Sequence, residues 1–170
     1  SGGSGAALAA DMCIGALGTD TGGSVRLPGA FNGVTALRPT HGRISNYGVT
    51  PLSVRFDTVG PMARRVEDVA RIFAVLAGFD SKDPLSVDHP LENFLPTLDA
   101  GVAGLRIGVP ENFFFDDLHP DVEKAVIEAA NLFESLGATL HKVSVVGAET
   151  AHKWAATMIY SDLCAHFGDV

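Results

Sequence analysis

The chain has 170 residues, is 46% apolar and carries a formal net charge of −8. That apolar content excludes global disorder. The acidic balance, with no basic run longer than Arg64-Arg65, argues against a nucleic-acid surface, and no window offers the ~18 or more uncharged apolar residues of a membrane span.

In chain order, residues 4–13 are alanine-rich and favour a short helix after a glycine loop. Ile14 to Leu17 reads as a buried strand leading into a Gly18–Ser24 loop. Pro28 to Asn32 suits a helical turn with proline near its start. Val34 to Leu37 reads as a strand stopped before Pro39. Residues 40–62, rich in Gly, Pro, Ser and Asn, read as an ordered irregular stretch with short strands. A helix is predicted over 66–77, with Val66, Val69, Ala70, Phe73, Leu76 and Ala77 on one face and Gly78 as C-cap.

Residues 79–103 are weakly periodic and read as a long loop. Leu105 to Pro110 is a strand. Helix 120–136 opens on Pro120 and closes before Gly137, with Val122, Ala125, Val126, Ala129, Leu132, Phe133 and Leu136 on its apolar face. A strand near 139–145 and a helix near 147–166 complete the pattern. The expected class is α/β, a mixed β-sheet flanked by helices on both faces. Cys13 and Cys164 have neither C-x-x-C nor zinc spacing, and both are expected to be buried reduced thiols of a cytoplasmic protein. The start, Ser-Gly-Gly-Ser-Gly, has no basic n-region and is not a signal peptide. It reads as an expression scar or as a cut from a longer chain.

The chemistry concentrates in Gly18-Thr19-Asp20-Thr21-Gly22-Gly23-Ser24-Val25-Arg26. Two glycines before a serine allow a sharp turn and close approach to a ligand. Free backbone N–H groups there can hold an oxyanion while the serine attacks. A neutral hydroxyl needs a base, so Ser24 reads as a Ser-His-Asp serine, a Ser-Lys serine or a bystander in a tight turn. Arg26 stands where the G-x-S-x-G elbow needs its last glycine. No S-x-x-K occurs, and none of the six histidines sits in a triad signature.

The ordered motifs closely resemble the amidase signature family. Ser1-Gly2-Gly3-Ser4 matches the end of its G-G-S-S-G-G-S run, and Gly18 to Arg26 its nucleophile segment. Pro28, Gly33-Val34, Leu37-Arg38-Pro39-Thr40, Gly42-Arg43-Ile44-Ser45 and Phe56 to Arg64 follow in family order, then Val66-Glu67-Asp68. The match is strong over 1–78 and only architectural from 105 to 170. The resemblance implies the central part of a single amidase domain, truncated at both ends, spanning 1–170. It implies hydrolysis of an amide C–N bond through an acyl-enzyme on Ser24. Backbone N–H groups of Thr21, Gly22, Gly23 and Ser24 match the oxyanion hole. The family's bridging cis-serine aligns one residue before Ser1, and its lysine base further upstream. The 170 residues alone are therefore expected to be inactive, and the full-length parent active.

Two alternatives stand beside this reading. One is the A subunit of a tRNA-dependent amidotransferase, although Phe56 to Val59 looks closer to free-standing amidases. The other is a non-catalytic binding module on the same scaffold. The expected partner is a small-molecule amide, with no nucleic acid and no membrane; a homodimer or partner subunits of the full-length protein stay open. No cofactor or metal is implied. Unpaired sheet edges predict instability or association of the 170 residues alone.

Asp20 and Arg26 are read as an ion pair that fixes the loop donors before reaction. Ser1 and Ser4 are read as caps of the first helix, close to the active site in the family. Arg64 and Asp57 are read as structural contacts orienting the irregular stretch. Arg65 cannot cap the helix it precedes. Glu149 and His152 stand at i and i+3 but lack the second Glu-x-x-His of a di-metal helix site. Trp154, Met158 and Tyr160 are read as core or partner-facing side chains.

Overall fold

Gly15–Thr19 (β1), Thr35–Ala36 (β2) and Val59–Ala63 (β3) form an antiparallel sheet in the order β1-β3-β2. Every residue of the central strand β3 is buried. The register sets Gly18 opposite Gly60 and Thr19 opposite Val59. The pairing continues one step further, with Asp20 N–H donating to the Thr58 carbonyl at 2.8 Å. Glycine is required at 60, where a Cβ would lie 2.3 Å from the Leu37 carbonyl oxygen.

Around this sheet the chain forms helices Gly2–Ala9 (α1), Arg26–Asn32 (α2) and Val66–Leu76 (α3). Leu8 of α1, Val25 before α2 and Met62 of β3 are fully buried together, with Cys13, Ala16, Val34 and Ala36 packed against them. Burying side chains of this size stabilises by about 1.5–3 kcal/mol each. The sheet and the motif turn thus share one small core. Further along, Arg106–Pro110 (β4), Pro120–Ser135 (α4) and Thr139–Val143 (β5) form a strand–helix–strand unit with β4 parallel to β5. Parallel strands require such a crossover. The helix Ala148–Phe167 (α5) follows.

The computed structural model describes residues 1–90 and 93–168. They divide into two units, Ser1–Pro96 with the chain from Thr157 onward, and Thr97–Ala156. The α/β class holds, with antiparallel and parallel pairing both present alongside the helices. The 79–103 stretch is mostly irregular, with one 3-10 turn at Leu95–Thr97; its positions 91 and 92 lie outside the described residues.

Several local expectations are corrected. The first helix ends at Ala9, not near 13. Asp11 adopts φ 57° and Met12 N–H folds back to the Ala7 carbonyl, a left-handed stop that aspartate tolerates. Gly78 is not a helix cap. Ala77 is already extended and bridges Ile44, while Gly78 N–H donates to Arg43, so a tertiary pairing ends α3. Ile14, just before β1, is 85% exposed, and Leu17 of β1 is exposed too, so this run is not the buried strand expected; β1 is an edge strand among the described residues.

On α3, Val69 and Ala70 are buried but Val66 is exposed. None of the predicted α4 face is buried, since a two-stranded sheet is only one ~4.8 Å inter-strand step wide. Cys13 is half-buried and Cys164 exposed, both as free thiols. Trp154, Met158 and Tyr160 are exposed rather than in a core.

Candidate active site

The turn after β1 is organised by one carboxylate. Asp20 is fully buried. Its Oδ1 accepts from Gly23 N–H at 2.7 Å and Arg26 Nη2 at 3.0 Å. Its Oδ2 accepts from Val25 N–H at 3.2 Å, Arg26 N–H at 3.2 Å and Arg26 Nε at 2.9 Å. Arg38 Nε lies 3.4 Å from Oδ1 and also donates to the Asp20 carbonyl at 3.3 Å. Burial alone would push this carboxyl up; the Arg26 side chain and the N–H groups of Arg26, Gly23 and Val25 outweigh that and hold its pKa at about 2. The Asp20 bond in turn raises Arg26 above its ordinary value, against the opposing effect of burial. The carboxylate is therefore ionised and wraps the chain around itself.

This wrapping decides which donors remain free. Gly23, at φ 127°, gives its N–H to Asp20. Of the four N–H groups matched to an oxyanion hole, those of Thr21, Gly22 and Ser24 find no acceptor among the described residues. Gly22 and Ser24 are exposed, while Thr21, Gly23 and Val25 are buried. The turn thus exposes Gly22 and Ser24, whose N–H groups are unpaired, on either side of the Gly23 N–H that Asp20 holds; free backbone donors of this kind can bind an anion. Beside it stands α5: a Cβ on Gly22 would lie 3.6 Å from Ile159 Cδ1.

Ser1 is at the N-cap position of α1 but makes no side-chain cap there. Its Oγ instead accepts from Thr19 N–H at 3.1 Å and donates to the Thr19 carbonyl at 3.3 Å. Ser4 Oγ donates to the Leu17 carbonyl at 2.9 Å. Both serines tie α1 to β1, just upstream of the turn. Arg65 makes no side-chain cap for α3. Arg64 donates to the Leu8 and Cys13 carbonyls and pairs with Asp11, binding the loop after α1.

Sequence reasoning missed the second wall of the turn. Thr21 Oγ1 donates to Asp57 Oδ1, and Arg38 Nη2 donates to the Phe56 carbonyl at 3.0 Å. The sequence marks Phe56, Asp57 and Arg38 as motif residues and Asp57 as a structural contact, without naming Thr21 as its partner. Glu149 accepts from Asn112 Nδ2 at 2.6 Å, and His152 stacks on Phe113. Among the described residues, no three His, Cys, Asp or Glu side chains are grouped to share a metal ion. A groove of about 630 Å³ beside Ile14, Leu17, Ile72 and Leu76 has no residue of the 18–26 turn in its lining.

A family model described as Amidase matches residues 1–168. The chain is 44% identical over 145 residues to the A subunit of the glutamyl-tRNA(Gln) amidotransferase of Syntrophobacter fumaroxidans, covering 85% of this chain and 30% of that protein. It spans about 30% of the length of the curated relatives it matches. Among solved structures, it superposes on the A subunit of the glutamyl-tRNA(Gln) amidotransferase from Thermotoga maritima with a TM-score of 0.91 and 32% identity, over 99% of this chain and 37% of that one. It superposes on the peptide amidase of Stenotrophomonas maltophilia with a TM-score of 0.82 and 30% identity, over 98% and 35%.

Proposed function

The chain belongs to the amidase family, and we propose that it supplies the nucleophile and the anion cradle of an amide-cleaving site in a longer protein. Ser24 Oγ attacks the amide carbonyl carbon, and the carbonyl electron pair moves onto oxygen. The N–H groups of Thr21, Gly22 and Ser24 receive that oxyanion. When the carbonyl reforms, the C–N bond breaks and the amine leaves with the proton taken from Ser24. Water then cleaves the resulting ester and returns a proton to Oγ.

Proton transfer needs a base. Lys82, Lys124, Lys142 and Lys153 all lie outside the matched motifs, so the lysine and the bridging serine of the family pattern are assigned to sequence before Ser1. In this reading residues 1–170 are the central portion of one cytoplasmic amidase domain. Its partner is a small-molecule amide, and the scheme uses no cofactor or metal.

The observation that supports the reading is the Asp20-anchored turn, which presents the Ser24 hydroxyl beside unpaired N–H groups. The test is amide hydrolysis by the full-length protein and its Ser24→Ala variant. Loss of the nucleophile is expected to lower kcat about a thousandfold or more and to abolish labelling by a fluorophosphonate probe. Turnover retained by Ser24→Ala overturns the assignment. The 170 residues alone are expected to match the Ser24→Ala control.

The 44% identity to the A component of an amidotransferase supports a second reading, in which the amide is glutamine and the released ammonia serves partner subunits. Co-purification with such subunits and partner-stimulated glutaminase activity distinguish it from a free-standing amidase. A binding module without chemistry would show neither Ser24 labelling nor turnover.

A further inference from the structure

We infer that Asp57 is a positioning residue for the nucleophile turn, acting through the Thr21 hydroxyl. The inference rests on the reading of Ser24 as nucleophile and concerns a residue that hydrogen-bonds the Thr21 side chain but neither Ser24 nor any of the unpaired N–H groups.

Thr21 and Asp57 are both buried, and Thr21 Oγ1 donates to Asp57 Oδ1. The other carboxylate oxygen, Oδ2, accepts from Leu52 N–H at 2.8 Å and Ser53 N–H at 3.0 Å. Both oxygens are therefore committed, and the carboxylate cannot swing away from Thr21. The backbone of Asp57 is fixed as well: its N–H donates to the Ser53 carbonyl, and its carbonyl accepts from Asn46 Nδ2, each at 2.8 Å. Its neighbours grip the same turn. The Thr58 carbonyl accepts from Asp20 N–H. The Phe56 carbonyl accepts from Arg38, which also reaches the Asp20 carbonyl.

The consequence lies in the peptide between Thr21 and Gly22. Its plane carries the Gly22 N–H, and Thr21 ψ sets its direction, since the backbone has only two soft dihedrals per residue. Asp20 fixes the turn from Gly23 onward. Asp57 fixes Thr21. The two carboxylates thus clamp the cradle from opposite ends and leave the exposed Gly22 with an N–H that has no acceptor among the described residues. The Asp57 carboxylate accepts from Thr21 Oγ1 and from the Leu52 and Ser53 N–H groups, and from none of the N–H groups of Gly22, Gly23 or Ser24.

The experiment compares Thr21→Val, Thr21→Ser, Asp57→Asn and the Thr21→Val/Asp57→Asn pair in the full-length protein, with Ser24→Ala in parallel. Valine keeps the β-branched shape and puts a methyl group in place of the hydroxyl that Asp57 accepts from. Thr21→Val is expected to lower kcat about 10- to 100-fold, the scale of a misaligned reacting group, with KM within about threefold. Thr21→Ser should restore kcat to within about threefold of wild type, because it returns the donor. Asp57→Asn should add little on the Thr21→Val background. An unchanged kcat in Thr21→Val, no rescue by serine, or additive effects overturn the inference. Should Asp57→Asn not fold, the valine–serine comparison decides alone. Wild-type protein without Ser24-dependent turnover overturns the nucleophile assignment and this inference with it; normal turnover insensitive to Thr21→Val overturns this inference only.

Discussion

Arg26 holds the Asp20 carboxylate with two nitrogens, Nε on Oδ2 at 2.9 Å and Nη2 on Oδ1 at 3.0 Å, in a side-by-side pairing. The partners are unequal. Asp20 has no exposed surface, while the Arg26 side chain is 56% exposed. Solvent can take over much of what Arg26 loses, but nothing replaces Asp20 beneath the turn. Asp20→Asn, which leaves buried donors facing an amide, is expected to cost about 3 kcal/mol. Arg26→Ala is expected to cost about 1 kcal/mol. Denaturant titration of the two variants checks the order, and equal losses would contradict it.

The same carboxylate predicts a pH dependence. Its folded-state pKa is lowered from 3.8 to about 2. A lowered acid favours the folded state only while it is ionised. Its contribution is complete above the unfolded value and is lost as pH falls through about 4 to 2. The difference corresponds to about 2 kcal/mol. Urea midpoints of wild type and Asp20→Asn should run parallel from pH 7 to 5 and converge toward pH 2. A constant gap across that window would assign the stability to packing instead.

Neighbouring glycines in the turn are needed for different reasons. Gly23 has φ 127°, and a Cβ there would lie 3.0 Å from Leu27 Cδ1. Gly22 has no such φ, and its Cβ would meet Ile159 Cδ1 at an ordinary 3.6 Å. Gly23→Ala is therefore expected to destabilise by about 1–3 kcal/mol, and Gly22→Ala to stay within about 0.5 kcal/mol of wild type. Thermal melting separates them. If Gly22→Ala melts normally yet slows turnover, that glycine serves substrate access rather than folding.

The fold was readable where one residue's own pattern decided it. The 3.6-residue period placed α3 to within a residue, and the glycine–serine motif located the turn. Where a distant partner decided, it was not. Gly78 has the position of a cap, but the Ala77–Ile44 bridge ends the helix. Asp20 and Arg26 are six residues apart and their pairing was foreseeable. Thr21 and Asp57 are 36 apart, and nothing local joins them. The motif named four candidate donors but could not show that Asp20 already holds the one on Gly23. Amphipathicity marks an apolar face on α4, and none of it is buried among the described residues.

Ser53 offers the last test, because it joins the Asp57 loop to the end of α5. Ser53 is fully buried, its N–H donates to Asp57, and its Oγ donates to Asp162 Oδ2 on α5. Ser53→Ala removes the hydroxyl but keeps the N–H bond to Asp57. The half-buried Asp162 carboxylate then loses a donor. A lost hydrogen bond to a charged group costs about 1.5–3 kcal/mol. The loss should be local: amide exchange in residues 159–167 should accelerate, while α3, to which Ser53 makes no hydrogen bond among the described residues, keeps its protection. Uniform acceleration in both helices would show that the bond supports the whole unit rather than the placement of Ile159 beside Gly22.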